Sequence, residues 1–167
     1  MTISNMKYLL IVDVQNGFIN DKNSKIVPNI EKLVKSLDFD EIIVTKFINK
    51  PDSQYFKQLN WHKMTSSPDI DLAFNLQDQA KVTIVEKTSY SLPQNIVSSL
   101  FDEDAEIYIC GLNYDACVLA IGFQLFDLGY SVKFLMNAIS TANSEPMPIE
   151  YFEKIINRNF GKESIIK

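Results

Sequence analysis

Residues 106–136 read EIYICGLNYDACVLAIGFQLFDLGYSVKFLM, and this stretch decides the fold. Residues 106–111 are a short apolar run closed by Gly111, the pattern of a buried strand. Residues 114–128 are mostly apolar and stop at Gly129, which reads as a helix. Residues 131–136 form a second apolar run. A strand, a helix and a strand in this order make a parallel unit, because parallel neighbours need a long crossover, usually helical.

The pattern repeats outward. On the N-terminal side, residues 7–13 (KYLLIVD) read as a strand. Pro28 opens a helix with Ile30, Leu33, Val34 and Leu37 at helical spacing, and residues 41–47 (EIIVTKF) are the next strand. Residues 49–79 are less regular, with a short helix expected near 53–59 and a loop through Ser66, Ser67 and Pro68. Residues 81–87 (KVTIVEK) form a third strand. Pro93 is expected to start a helix carrying Ile96, Val97 and Leu100. On the C-terminal side, residues 148–157 predict a last helix and residues 164–167 a terminal strand. No repeat or flexible linker interrupts the alternation. The expected fold is a single domain over residues 1–167, a three-layer α/β/α structure around a doubly wound parallel sheet of five or six strands. In such sheets ligands bind beyond the carboxyl ends of the strands.

A chain of 167 residues with 46% hydrophobic and 22% charged residues can bury a substantial core, which argues against disorder. A net charge of -5 argues against a broad nucleic-acid-binding or anionic-membrane-binding face. No apolar run is long enough to span a bilayer, and the first residues lack a secretory pattern. Cys110 and Cys117 form neither a disulfide framework nor a C-x-x-C motif. A reducing cytoplasm is the expected compartment.

Three reactive side chains fall at or just past strand ends. Asp13 closes the first strand, Lys87 the third, and Cys117 follows Gly111 at or near the start of the next helix. Each alone has a plain structural use: a turn aspartate, a solvated lysine, a core cysteine. Together they suit nucleophilic chemistry. A helix N-terminus and a nearby ammonium favour the Cys117 thiolate. Asp13 would carry the proton as base and then acid, and Lys87 would hold Asp13 and stabilise developing charge. Backbone N–H groups before the helix would supply an oxyanion hole.

At these residues the sequence resembles the isochorismatase-like superfamily, the cysteine hydrolases that include nicotinamidases and N-carbamoylsarcosine amidase. The resemblance is carried by residues 10–18 (LIVDVQNGF), 87–91 (KTSYS), 111–118 (GLNYDACV) and 132–138 (VKFLMNA). It implies strand order 3-2-1-4-5-6, a catalytic triad of Asp13, Lys87 and Cys117, and a cis peptide between Leu112 and Asn113. It also implies an oxyanion hole from the N–H groups of Asn113 and Cys117, and Phe18 as a wall of the pocket. Tyr114 stands where the family often has Thr or Ser, so it is expected beside the nucleophile, where it could fill the pocket. Asn137 replaces a usual aspartate. Nicotinamidases carry an Asp-x-His and a further His as metal ligands after the second strand. Here residues 45–51 read TKFINKP, and the one histidine, His62, is expected at the surface or in a loop. No metal and no cofactor are expected.

The resulting expectation is metal-independent hydrolysis of a small amide-like C–N bond through a Cys117 thioester. The alternatives are isochorismatase-type vinyl-ether hydrolysis without a cysteine nucleophile, or a non-catalytic binding protein on the same scaffold. A Cys110–Cys117 redox pair is disfavoured by strand-to-helix placement. The partners expected are a small-molecule substrate and further copies of the chain, as a homodimer or higher oligomer. Leu119, Phe123 and Phe126 share a helix face that is core or subunit interface. Trp61, Met64, Ile70, Leu72, Phe74 and Leu76 read as loop packing, in preference to a lid or dimer contact.

Overall fold

The computed structural model describes residues 5–76 and 81–167. Six strands form one parallel sheet: β1 Lys7–Val12, β2 Glu41–Phe47, β3 Val82–Lys87, β4 Glu106–Gly111, β5 Ser131–Ile139 and β6 Ile165–Ile166. Their order is β3-β2-β1-β4-β5-β6, as the resemblance implies. The helices are α1 Ile26–Lys35, α2 Gln54–Lys57, α3 Cys117–Asp127 and α4 Ile149–Phe160.

Position in the sheet explains the composition of each strand. β1 is central, pairing with β2 on one side and β4 on the other, and Leu9, Leu10, Ile11 and Val12 are fully buried. A parallel strand covered on both faces needs such an unbroken apolar run. β3 is at the edge; only Val85 and Lys87 of its residues are buried. The chain moves outward from β1 through β2 to β3, then returns to β4 and moves the other way. Right-handed crossovers put the connections of the two halves on opposite faces. The direction reverses between β1 and β4, so a crevice opens beyond their carboxyl ends.

Four sequence expectations are corrected. The segment after Pro93 is a single 3-10 turn, Val97–Ser99, because too few apolar positions follow one another to sustain a longer helix. The helix expected from residue 114 begins at Cys117, since residues 113–116 form a turn. Strand β5 runs to Ile139, three residues beyond the expected end, and makes a bridge to Gly111. The 53–59 helix shrinks to Gln54–Lys57, with the Ser53 side chain accepting from the Phe56 N–H as its N-cap. Residues 77–79 of the irregular region lie outside the described residues.

Candidate active site

Asp13 follows the last residue of β1 with φ 51, in the left-handed region that aspartate tolerates. This turns the chain out of the strand. Thr45, buried in neighbouring β2, then clamps it from both sides. Its hydroxyl accepts from the Asp13 N–H at 3.1 Å and donates to Oδ1 at 2.6 Å. Thr45 is the one hydroxyl-bearing residue of β2, set in an otherwise largely apolar run.

Lys87 ends edge strand β3, two strands away from β1. Its register partner on β2 is Phe47, and its ammonium lies 5.2 Å from the centre of that ring. The side chain thus crosses β2 to reach Asp13 Oδ2 at 2.7 Å, with both side chains essentially excluded from solvent. Nζ also donates to the Ser89 carbonyl at 2.8 Å and the Tyr90 carbonyl at 3.4 Å. Among the described residues Asp13 Oδ2 has no hydrogen-bond donor, so its contact with Lys87 is one of charge rather than an aligned hydrogen bond. That oxygen keeps acceptor capacity.

Cys117 is the first residue of α3 and is buried. Lys87 Nζ donates to its Sγ at 3.4 Å. The turn before it needs Gly111: at φ 109 a Cβ there would lie 2.2 Å from the Val12 carbonyl oxygen. The Leu112–Asn113 peptide is cis. Burial pushes the Cys117 thiol above the ordinary range; Asp13 adds to this and Lys87 opposes it. Burial alone would lower the pKa of Lys87, but Asp13 and Cys117 outweigh it and raise it above the ordinary lysine value. Burial thus favours the protonated thiol at Cys117, and the neighbours of Lys87 favour its charged form.

Three successive residues of this turn grip the segment after β5. The Asn113 side-chain oxygen accepts from the Ala142 N–H at 2.7 Å. The Asp115 carboxylate accepts from Thr141 Oγ1 at 2.8 Å and from Asn143 Nδ2 at 2.7 Å. Tyr114 donates its N–H to the Ser140 carbonyl and its hydroxyl to the Met147 carbonyl. Its ring packs on Phe152 at 5.4 Å. Tyr114 therefore points away from Cys117, contrary to expectation, because its hydroxyl and ring both find partners on the far side.

Beyond Tyr114 lies a hollow of about 600 Å³ that includes none of Asp13, Lys87 and Cys117. The cavity that opens on Cys117 is smaller, about 430 Å³, and is the one placed for chemistry. Phe18 lines it, together with Phe47, Tyr55, Trp61, Tyr90, Asn113, Asp115 and Asn143. The sequence points to Phe18 and Asn113 and offers Trp61 only as a lid second to loop packing; it marks none of Phe47, Tyr55, Tyr90, Asp115 and Asn143 for the site. Tyr55 and Trp61 come from the irregular region, where no periodicity marks them; their aromatic density was the available signal. Met64 is buried in that region's own small core with Phe47 and Tyr55. Phe123 and Phe126 are exposed on α3 rather than in the core.

Residues 7–151 match the family model of the isochorismatase domain. Solved structures share the fold at low identity. N-carbamoylsarcosine amidase from Thermoplasma acidophilum is 18% identical, with a TM-score of 0.75 over 93% of each chain. Nicotinamidase from Bacillus subtilis is 18% identical, with a TM-score of 0.76 over 96% of this chain and 99% of its own. Pyrazinamidase of Pyrococcus horikoshii, solved in complex with zinc, is 17% identical, with a TM-score of 0.72 over 95% and 96%. No curated protein sequence gives a match.

The residues after β2 do not suit a metal. The Asn49 amide donates to the Trp61 and Lys63 carbonyls at 3.1 and 3.0 Å and accepts from Ser53 at 2.7 Å, so its polar atoms are already engaged in closing the loop. His62 is exposed, paired with Asn60, and stacked edge-on to Phe56. Among the described residues no cluster of three or more His, Cys, Asp or Glu is placed to hold a metal ion. No helix there is long and apolar enough to cross a membrane.

Proposed function

Because this chain belongs to the isochorismatase domain family and is a hydrolase, we propose that it cleaves a small amide-like C–N bond through a Cys117 thioester, without a metal. One observation carries the reading: Lys87 Nζ touches both the Asp13 carboxylate (2.7 Å) and the sulfur of Cys117 (3.4 Å), the member of the three that lines a cavity.

Asp13 Oδ2 takes the thiol proton as Sγ attacks the substrate carbonyl carbon and forms the C–S bond. Lys87 stabilises the thiolate as it develops. The carbonyl oxygen becomes an oxyanion. The N–H groups of Ala116 and Val118 are donated to the Asn113 carbonyl and that of Tyr114 to the Ser140 carbonyl, whereas none of these bonds is donated by Asn113 or Cys117. Those two N–H groups are the proposed oxyanion hole, each worth roughly 3 kcal/mol to the transition state. The C–N bond then breaks, and Asp13 returns its proton to the leaving ammonia or amine. Water enters, gives a proton to Asp13 and attacks the thioester. The C–S bond breaks, the thiolate regains the proton, and a carboxylic acid leaves. Phe18 forms part of the wall beside the acyl group. Tyr114 lies outside that cavity, which weighs against a pocket plugged by its ring.

The test is ammonia release from small primary amides, nicotinamide and pyrazinamide included, with intact-protein mass after rapid acid quench. The expected result is turnover by the wild type, an acyl adduct on Cys117, and neither in Cys117→Ala. Turnover retained by Cys117→Ala would overturn the thioester route and favour chemistry that needs the aspartate alone.

A further inference from the structure

Five aromatic rings from four stretches of chain wall the cavity over Cys117: Phe18, Phe47, Tyr55, Trp61 and Tyr90. They hold one another. Trp61 stacks on Phe18 at 6.1 Å and on Phe47 at 6.0 Å, and Tyr55 meets Trp61 at 6.1 Å and Tyr90 at 5.1 Å, both edge-on. The wall is thus formed before any ligand arrives. Aromatic faces carry negative electrostatic potential.

The charges around the wall point the same way. No lysine or arginine lines the cavity, and Asp115 is the charged residue that does. Among the described residues Asp115 makes no ion pair; its carboxylate receives only the neutral donors of Thr141 and Asn143. Behind Cys117 the Lys87 charge is matched by Asp13, and neither residue lines the cavity. Burial, with Cys117 adding to it, pushes the Tyr55 and Tyr90 hydroxyls upward, so both rings stay neutral. A neutral ring would use the aromatic wall but not the carboxylate, and an anion would be repelled by both. A cation satisfies both.

We infer that this site takes a cationic amide, with a quaternary or protonated ammonium group seated among the aromatic rings near Asp115 and the amide carbonyl over Cys117. The amide half rests on the cysteine-hydrolase reading; the cationic half rests on the cavity wall alone.

Trp61 is the one tryptophan of the chain, so its fluorescence reports occupancy of this cavity. The experiment titrates the Cys117→Ala protein with trimethylammonioacetamide and with its uncharged isostere, tert-butylacetamide. The two differ by a nitrogen cation in place of a carbon. The cation is expected to bind about tenfold tighter. Adding Asp115→Asn is expected to reduce that ratio to about threefold, and Tyr90→Leu, at a partly exposed ring, to lower it separately. Equal affinity, tighter binding of the neutral amide, no saturable binding of either, or a ratio untouched by both substitutions would each overturn the inference. Turnover is read separately in the wild type. A cationic amide that binds selectively but is not hydrolysed counts against the cysteine chemistry, not against the cation preference of the wall.

Discussion

Cys110 and Cys117 are both unpaired, both buried, and both less acidic than an ordinary thiol. Burial is the whole cause at Cys110, which sits inside β4 opposite Ile11 of β1. At Cys117 burial acts together with two charges of opposite sign, which push the thiol in opposite directions. Burial by itself makes a thiol inert. The neighbours of Cys117 provide a place for its proton and a cation for its thiolate, and Cys110 has neither. On this reading reactivity is a property of the place where β1, β3 and α3 converge, seven residues from a similar side chain with none.

The most direct way to break the comparison is to delete each sulfur in turn. Cys117→Ala is expected to lower kcat on a hydrolysed amide by on the order of 10⁵-fold. Cys110→Ala should leave kcat within a small factor, because its sulfur touches only core. Comparable losses from both would mean that Cys117 acts through packing. Asp13→Asn tests the proton path and is expected to cost on the order of 10⁴-fold in kcat, since an amide cannot take the thiol proton.

The same neighbours make opposite predictions for thiol reactivity. Alkylation by iodoacetamide, followed by peptide mass against pH, titrates each cysteine separately. In Asp13→Asn the charge that raises the Cys117 value is gone and Lys87 remains, so the alkylation midpoint should fall by about one pH unit or more. A less active enzyme would thus carry a more reactive thiol. In Lys87→Met the midpoint should rise. Cys110 should remain unlabelled in all three proteins while they are folded. An unchanged Cys117 midpoint in both variants would remove the electrostatic account.

Stability should separate the two partners of the ion pair. Lys87→Met leaves Asp13 Oδ2 buried without its cation, a loss of about 3–5 kcal/mol. Asp13→Asn leaves Lys87 with the Ser89 and Tyr90 carbonyls and is expected to cost less, about 1–3 kcal/mol. Urea unfolding of the two variants measures the order, and a reversed order would mean that Oδ2 is not left unpartnered when Lys87 is removed.

How far these features were legible in the sequence depends on whether they are local. β2 and β4 have the limits read from their residues, because a buried parallel strand is an unbroken apolar run. The turn after Gly111 was harder. Residues 114–116 look helical by composition, but bonds from this turn to the segment after β5 keep them out of α3. Asp13, Lys87 and Cys117 could be named because each marks a strand or helix end. That Lys87 reaches across β2 depends on the Phe47 ring and on two carbonyls of the following loop, contacts between segments far apart in the chain. Of the aromatic wall, Phe18 is expected from the resemblance and Trp61 is weighed only as a lid; Phe47, Tyr55 and Tyr90 carry no such signal, because these rings share no periodicity and meet only in the folded chain.

The smallest expected effect concerns Cys110 itself. A thiol held above its ordinary value in the folded state contributes stability that is fully present below the unfolded value, near pH 8.5, and lost as pH rises. Both thiols are raised, so unfolding at alkaline pH frees two groups that ionise. The loss approaches about 1.4 kcal/mol per pH unit for each thiol once pH exceeds the unfolded value. Between about pH 9 and 10, Lys87, raised above its ordinary value, stays charged in the folded state and mostly charged in the unfolded one, so it adds little. The raised tyrosines Tyr8, Tyr55, Tyr90, Tyr108 and Tyr114 add to the slope in both proteins, so Cys110→Ala should unfold with a slope shallower than that of the wild type by one thiol's share, about 1 kcal/mol per pH unit, over that interval, whatever it costs at neutral pH. The readout is the urea midpoint at several alkaline pH values. A slope equal to that of the wild type would mean that Cys110 ionises as readily folded as unfolded, and the contrast between the two sulfurs would rest on Cys117 alone.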